Sequence, residues 1–147
     1  MQPDLGLPPA QASAVPYRAA AGGVEFCLIT SLTSGRWGFP TGLIDPGETP
    51  AQAALKEAYE EAGLRGLIVG NPLGEYQYAK WGSLLTVTTF LMEVSQAEAV
   101  WLEADRRQRQ WATAEEADRM LDRRHLARLL RLASGRLQQG GGFANRR

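Results

Sequence analysis

The segment from Thr49 to Gly63 carries both boundaries of a helix in its own letters, and the rest of the chain has to fold around it. Thr49 is a favourable N-cap, Pro50 suits the first helical position, and Gln52 completes a Thr-x-x-Gln capping box. Gly63 suits the position just past the last turn, where a left-handed backbone favours glycine. The stretch before it, TGLIDPGE, reads as a loop punctuated by Gly42, Pro46 and Gly47. Loop, helix and stop are therefore fixed locally.

The helix is unusual in its acids. At about 100° per residue with Glu57 as origin, Glu60 falls near −60° and Glu61 near +40°, so three carboxylates share one face. Leu55, Tyr59, Ala62, Ala51 and Ala58 lie between about 100° and 200° by the same geometry. This predicts a helix that packs through Leu55 and Tyr59 and presents its carboxylates elsewhere. Like charges at i,i+4 cost only a few tenths of a kcal/mol on an exposed helix, so many acidic faces are simply solvated. The spacing here suits more than that. Hard divalent cations take a few oxygen ligands from protein and the rest from water and substrate phosphates. Three glutamates beside a loop carbonyl offer a half-open site of that kind.

The flanking sequence supplies the other layers. GVEFCLITS reads as a buried strand, RWGFP as a short one, and GLIVGNPLGEYQYAKW and LLTVTTFLMEV as long β-rich runs. RQRQWAT adds a strand, Thr113-Ala-Glu-Glu116 opens a second capped helix toward Leu121, and a last helix covers about His125 to Ala133. Strands, helix, strands, then helices predict a mixed α/β (α+β) sandwich. Its boundaries are read as a loose leader over residues 1–14, one domain over 15–134 and a frayed tail over 135–147. At 147 residues the chain has room for one core.

Composition narrows the partners. The formal net charge is zero, so no global field favours nucleic acid or an anionic membrane. No apolar run approaches the ~20 residues that span a bilayer. Cys27 is the one cysteine, inside an apolar run, which excludes an internal disulfide and accords with a reducing, cytoplasmic setting. Neither zinc-ligand spacing nor a Gly-x4-Gly-Lys phosphate loop occurs, and the sole histidine, His125, is expected to face solvent.

The pattern Gly42-x5-Glu48-x7-Lys56-Glu57-Ala58-x-Glu60-Glu61-x-Gly63-Leu64 resembles the Nudix box, G-x5-E-x7-R-E-U-x-E-E-x-G-U with U aliphatic. One position departs, Lys56 standing where arginine is usual; it keeps the charge and loses the planar fork. The resemblance implies a Nudix fold, with a mixed sheet between helices and the box as loop–helix–loop. It implies Mg²⁺- or Mn²⁺-dependent hydrolysis of a phosphoanhydride joining a nucleoside diphosphate to another moiety. By resemblance Glu57 and Glu61 are metal ligands and Gly42 lends its carbonyl. Glu60 is a ligand or general base, with Glu57 the other catalytic candidate. Glu48, Lys56 and Gly63 support the box.

Weaker similarity outside the box points to the branch that hydrolyses diadenosine polyphosphates and diphosphoinositol polyphosphates, although Pro40-Thr41-Gly42 lacks the lysine of the branch's common Pro-Lys-Gly. Candidate substrate-binding residues are Arg18, Arg36, Trp37, Thr41, Tyr78, Lys80, Arg107 and Arg109, with Tyr76 on the same strand face as Tyr78 and with Trp37 ahead of Trp81, Trp101 and Trp111 for stacking on a base. The strand SLLTVTTF contributes no Lys or Arg and the chain is neutral overall, which favours a small-molecule substrate of nucleotide type over the densely anionic inositol pyrophosphates. ADP-ribose, nucleotide sugars and a weakly catalytic nucleotide sensor are the alternatives, and a homodimer is an assembly frequent in the family.

Overall fold

The computed structural model describes residues 10–80 and 82–145, and places one mixed sheet between α1 on one face and two helices on the other. The strands are β1 (Ala10–Ala20), β2 (Gly23–Thr30), β3 (Trp37–Gly38), β4 (Thr41–Leu43), β5 (Leu64–Lys80), β6 (Ser83–Ala97) and β7 (Arg109–Thr113). The helices are α1 (Pro50–Ala62), α2 (Ala114–Met120) and α3 (Arg124–Asn145). The main path runs β3-β2-β1-β6-β5, with β4 paired to β1 and β7 to β2. β1 and β6 are parallel, and every other described pairing is antiparallel.

Strand alternation divides the core in two. Phe26 and Leu28 of β2 point to the α2/α3 side, with Val15, Leu91, Leu126, Leu129 and Leu130. Cys27 and Ile29 point to the α1 side, with Ala12, Ala14, Phe90 and Met92. This is the period of two that a strand covered on both faces requires. Each fully buried leucine of α3 contributes about 2 kcal/mol of apolar burial, which anchors the helix.

Three sequence expectations need correcting. The leader read over residues 1–14 is strand from Ala10 onward, and Gln11 to Ala14 are buried. AQASA has little β-propensity of its own; pairing with β6 on one side and β4 on the other supplies the ladder. Its remaining residues, 1–9, lie outside the described part of the chain, as does Trp81. The tail read from residue 135 is helical through Asn145, and Arg136 donates to the carbonyls of Val69, Asn71 and Pro72 across the bulge in β5.

The third correction concerns α1. Its buried residues are Ala53, Ala54, Ala58, Glu61 and Ala62, while Tyr59 is exposed and carries the Arg65 guanidinium on its ring. The packing arc is therefore turned away from Tyr59, with Leu55 partly buried at its margin, and Glu61 lies within it. Alanines of α1 meet Ala12 and Ala14 of β1, and small residues on both partners bring the helix close to the sheet. That approach buries a carboxylate.

Candidate active site

The box forms as its letters require. Thr49 caps α1 with both halves of the capping box, and Gly63 ends it at φ 70, ψ 30. The preceding loop is tied by Lys56, whose Nζ donates to Asp45 at 2.6 Å and Glu48 at 3.1 Å and lies 3.9 Å from Glu57. Glu48 also accepts from the Asp45 amide at 2.8 Å. The hydrogen bond to Asp45 is the main reason the Lys56 ammonium is held more firmly protonated than usual. Asp45 is a member of this knot that the box pattern does not mark.

Gly42, on β4, faces Glu57. A Cβ built there would overlap the Glu57 carboxyl carbon and both its oxygens, so glycine is what lets the Glu57 carboxylate lie where it does against the loop. Next along, the Thr41 amide donates to Glu61 Oε1 at 3.0 Å. Glu57 and Glu61 share a hydrogen bond. Burial pushes Glu61 up to about 8, against the pull of Arg107 and the Thr41 amide, with Glu57 raising it further. Burial also raises Glu57, and the charges of Glu60 and Glu103 add to that.

Two adjacent carboxylates that resist carrying full charge would be relieved by a cation between them. The donors are all oxygens, which suits a hard divalent ion. Among the described residues no three acidic, His or Cys side chains converge closely enough to hold a metal. Glu57 and Glu61 are the pair brought together, and Glu60 is a partly exposed neighbour one turn away. A ion held here would leave coordination positions to water and substrate, as Mg²⁺ sites usually do.

The segment between β6 and β7 closes the site from above the end of α1. Trp101 Nε1 donates to the Glu61 carbonyl at 2.9 Å, Arg109 to the Ala62 carbonyl at 2.7 Å, and the Glu98 amide to Gly63 at 2.8 Å. These cover carbonyls that a helix C-terminus leaves without partners, with a cation at the negative end of the dipole. The same segment delivers Arg107, which bonds Glu103 and the Thr30 carbonyl and lies 3.4 Å from Glu61 Oε2.

On the other side of Glu61 a cavity of about 670 Å³ opens. Of the residues named as substrate-binding candidates, Arg36, Thr41, Tyr78, Lys80 and Arg107 line it. Tyr76, Arg123 and His125 line it too. His125 is half-buried at this cavity: its ring packs on Tyr76 at 4.4 Å between centroids, and burial holds its pKa below the usual value. Gln11 accepts from the Tyr78 hydroxyl at 2.6 Å, and the Thr41 hydroxyl meets Ser13 at 3.0 Å, giving the floor a polar, hydrogen-bonded surface. Drug-sized ligands occupy cavities of about 300–1,000 Å³, so the volume suits a nucleotide-sized molecule.

Three candidate substrate residues are used elsewhere. Arg18 pairs with Glu25 and stacks over Trp111. Arg109 stacks over Trp101 while capping α1. Trp37 packs on the core beside α3, and its carbonyl accepts from Arg123. Each is claimed by a neighbour distant in sequence, which spacing alone does not reveal. His125 had no signal beyond residue type.

Fold and site together define a small mixed α+β domain with a carboxylate pair at the edge of a small-molecule cavity. Residues 9–132 match the NUDIX domain, and the chain belongs to the Nudix family. Members of the family generally use divalent metal cations. The chain is 32% identical over 124 residues to bis(5'-nucleosyl)-tetraphosphatase [asymmetrical] of Caenorhabditis elegans, covering 82% of this chain and 90% of that one. It is 34% identical over 89 residues to Nudix hydrolase 13, mitochondrial, of Arabidopsis thaliana (54% and 44% covered). It is 33% identical over 92 residues to human diphosphoinositol polyphosphate phosphohydrolase 3-alpha (58% and 52% covered). The chain thus spans about half the length of the last two relatives. Among solved structures, a C. elegans Ap4A hydrolase binary complex superposes with a TM-score of 0.78 at 30% identity, covering 89% of this chain and 98% of that one.

Proposed function

We propose that this chain is a divalent-metal-dependent hydrolase of phosphoanhydride bonds, acting on a nucleoside polyphosphate of the dinucleoside type. The observation that carries it is Glu61: a buried carboxylate, hydrogen-bonded to Glu57 beside Gly42, that also forms the wall of the cavity. Glu57 and Glu61 would hold Mg²⁺ or Mn²⁺, with the Gly42 carbonyl at hand. A bound divalent cation supplies charge neutralisation for the diphosphate and acidifies water. Glu60, partly exposed beside the pair, accepts the proton of the attacking water. Lys56, Asp45 and Glu48 keep the loop and Glu57 in register.

The cavity favours a nucleoside over an inositol. Of its cations, Arg36 lies 3.7 Å from Asp122, Arg123 lies 3.6 Å from the same residue, and Arg107 is engaged by Glu103 and Glu61. Much of their charge is already answered, which suits a short phosphate chain. The Tyr76–His125 pair offers ring faces for a base. The C. elegans relative, named for cleaving a bis(5'-nucleosyl) tetraphosphate, supports the same choice. Among the described residues no helix is long and apolar enough to cross a membrane. A cytoplasmic location fits the single buried cysteine.

Turnover decides the matter. Purified protein with Mg²⁺ or Mn²⁺ is offered diadenosine tetraphosphate, ADP-ribose, nucleotide sugars and diphosphoinositol polyphosphates, with product release followed by chromatography. The dinucleoside polyphosphate is expected to give the highest kcat/KM. Glu60→Gln and Glu61→Gln should each lower turnover at least ~100-fold, the scale of general-base loss. Binding without product for every compound would instead mark a sensor, and preference for a diphosphoinositol would overturn the substrate choice.

A further inference from the structure

Two cations of the chain itself flank the acid pair, Lys56 on the Glu57 side and Arg107 on the Glu61 side. They are held differently. Lys56 is bonded to Asp45 and Glu48 and only approaches Glu57. The Arg107 guanidinium is anchored by Nε on Glu103 and by Nη1 on the Thr30 carbonyl at 2.8 Å, while Nη2 stands 3.4 Å from Glu61 Oε2. That last separation exceeds an ordinary N–H···O hydrogen bond, so the contact is Coulombic and easily opened. The side chain is 11% exposed and lines the cavity, so its charge is weakly screened and has somewhere to go.

An ion shared by Glu57 and Glu61 would meet this positive charge across a single carboxylate. Repulsion scales with the product of the charges and inversely with distance, so a divalent ion feels it twice as strongly as a proton does. We propose that Arg107 is the resident counter-charge of the acid pair: it faces Glu61 in the metal-free chain and turns into the cavity when a divalent ion enters. This rests on the reading of Glu57 and Glu61 as metal ligands. Arg107 is here a positioning residue: the Trp101, Arg109 and Glu98 bonds to the end of α1 fix its segment, so the turn into the cavity is a side-chain movement that gives up the Glu103 and Thr30 bonds. Metal affinity of the substrate-free protein is held down as a result. An anionic substrate that draws the guanidinium into the cavity raises it, and by linkage the metal raises affinity for the anion.

The test is Mg²⁺ binding to the metal-stripped full chain by isothermal titration calorimetry at pH 9, where protons compete least for the carboxylates. Arg107→Gln should bind Mg²⁺ roughly tenfold tighter than wild type, and Arg107→Lys, which keeps the charge, should stay within about threefold of it. Equal or weaker binding in Arg107→Gln, or equal tightening in Arg107→Lys, overturns the inference while leaving the metal reading intact. Failure of both wild type and Arg107→Gln to bind Mg²⁺ sinks the metal reading, and the inference with it. Should Arg107→Gln not fold, a crystal structure of wild type with Mn²⁺ decides: Nη2 withdrawn from Glu61 supports the inference, and Nη2 still beside it with the ion bound refutes it.

Discussion

Gly42 and Glu57 stand so close that the place of a Cβ at position 42 is filled by the Glu57 carboxylate. Gly42 is not among the glycines with positive φ, so alanine could adopt its backbone without strain. The cost of Gly42→Ala therefore falls on the carboxylate, the far end of a side chain that can rotate aside. We expect the variant to fold, with a small loss of stability, and to lose about 100-fold in turnover, the scale of a misplacement near 1 Å. Thermal unfolding and kcat with Mg²⁺ check the two halves. Turnover near wild type would mean that Glu57 does not need its present position.

Gly63 presents the opposite case. Its φ of 70 is left-handed, and a Cβ there would lie 2.8 Å from Trp101 Cβ and 2.9 Å from its Cγ. The Trp101 ring cannot simply retreat, because its Nε1 is bonded to the Glu61 carbonyl. Gly63→Ala combines a left-handed backbone penalty with overpacking, and should cost about 2–4 kcal/mol. Urea denaturation measures it. A cost below ~0.5 kcal/mol would show that the segment carrying Trp101 shifts freely, against the anchored geometry described above.

What could be read before folding was local. Thr49, Gln52 and Gly63 fix α1 through bonds within a few residues, and the acids lie at helical spacing, so loop, helix and carboxylates were legible as letters. The burial of α1 was not, because alanine carries almost no amphipathic signal and its partners Ala12 and Ala14 are equally mute. Tyr59, the largest apolar residue of the helix, drew the expectation too far round, while Leu55 does pack on the core. The Arg107–Glu61 and Tyr76–His125 contacts each join residues more than forty positions apart, and only the topology brings them together. Three consecutive glycines made the end of α3 read as a tail, while Arg136 ties that helix to β5.

Lys56 tests whether an ammonium can do the work of the guanidinium usual in the box. Its bonds to Asp45 and Glu48 lie where the side chain is 28% exposed, so their contribution to stability is small, below about 1 kcal/mol. Their contribution to register is larger, since the loop that bears Gly42 is tied through them. Lys56→Met should lower turnover about tenfold by loosening that geometry, with little change in the unfolding midpoint. Lys56→Arg should stay within about threefold of wild type, since the charge is kept. Equal activity in all three would remove Lys56 from the site's support.

The last prediction concerns pH in the absence of metal. Glu61 has its folded pKa raised to about 8 from an ordinary 4.5, chiefly by burial. A carboxyl group with a raised folded pKa favours the fold while it is protonated. That contribution is complete below about 4.5, shrinks as the unfolded chain ionises first, and is gone once the pH passes about 8. Metal-stripped protein should therefore lose thermal stability between pH 5 and pH 8, and Glu61→Gln, which cannot ionise, should show a shallower decline. Divalent ions compete with the same protons, so Mg²⁺ affinity should climb across that window and each binding event should release protons to the buffer. Calorimetric titrations in buffers of different ionisation enthalpy count those protons directly. A wild-type stability profile parallel to that of Glu61→Gln from pH 5 to 8 would show that Glu61 is already ionised in the fold, and would shift the origin of any pH-dependent affinity to Glu57.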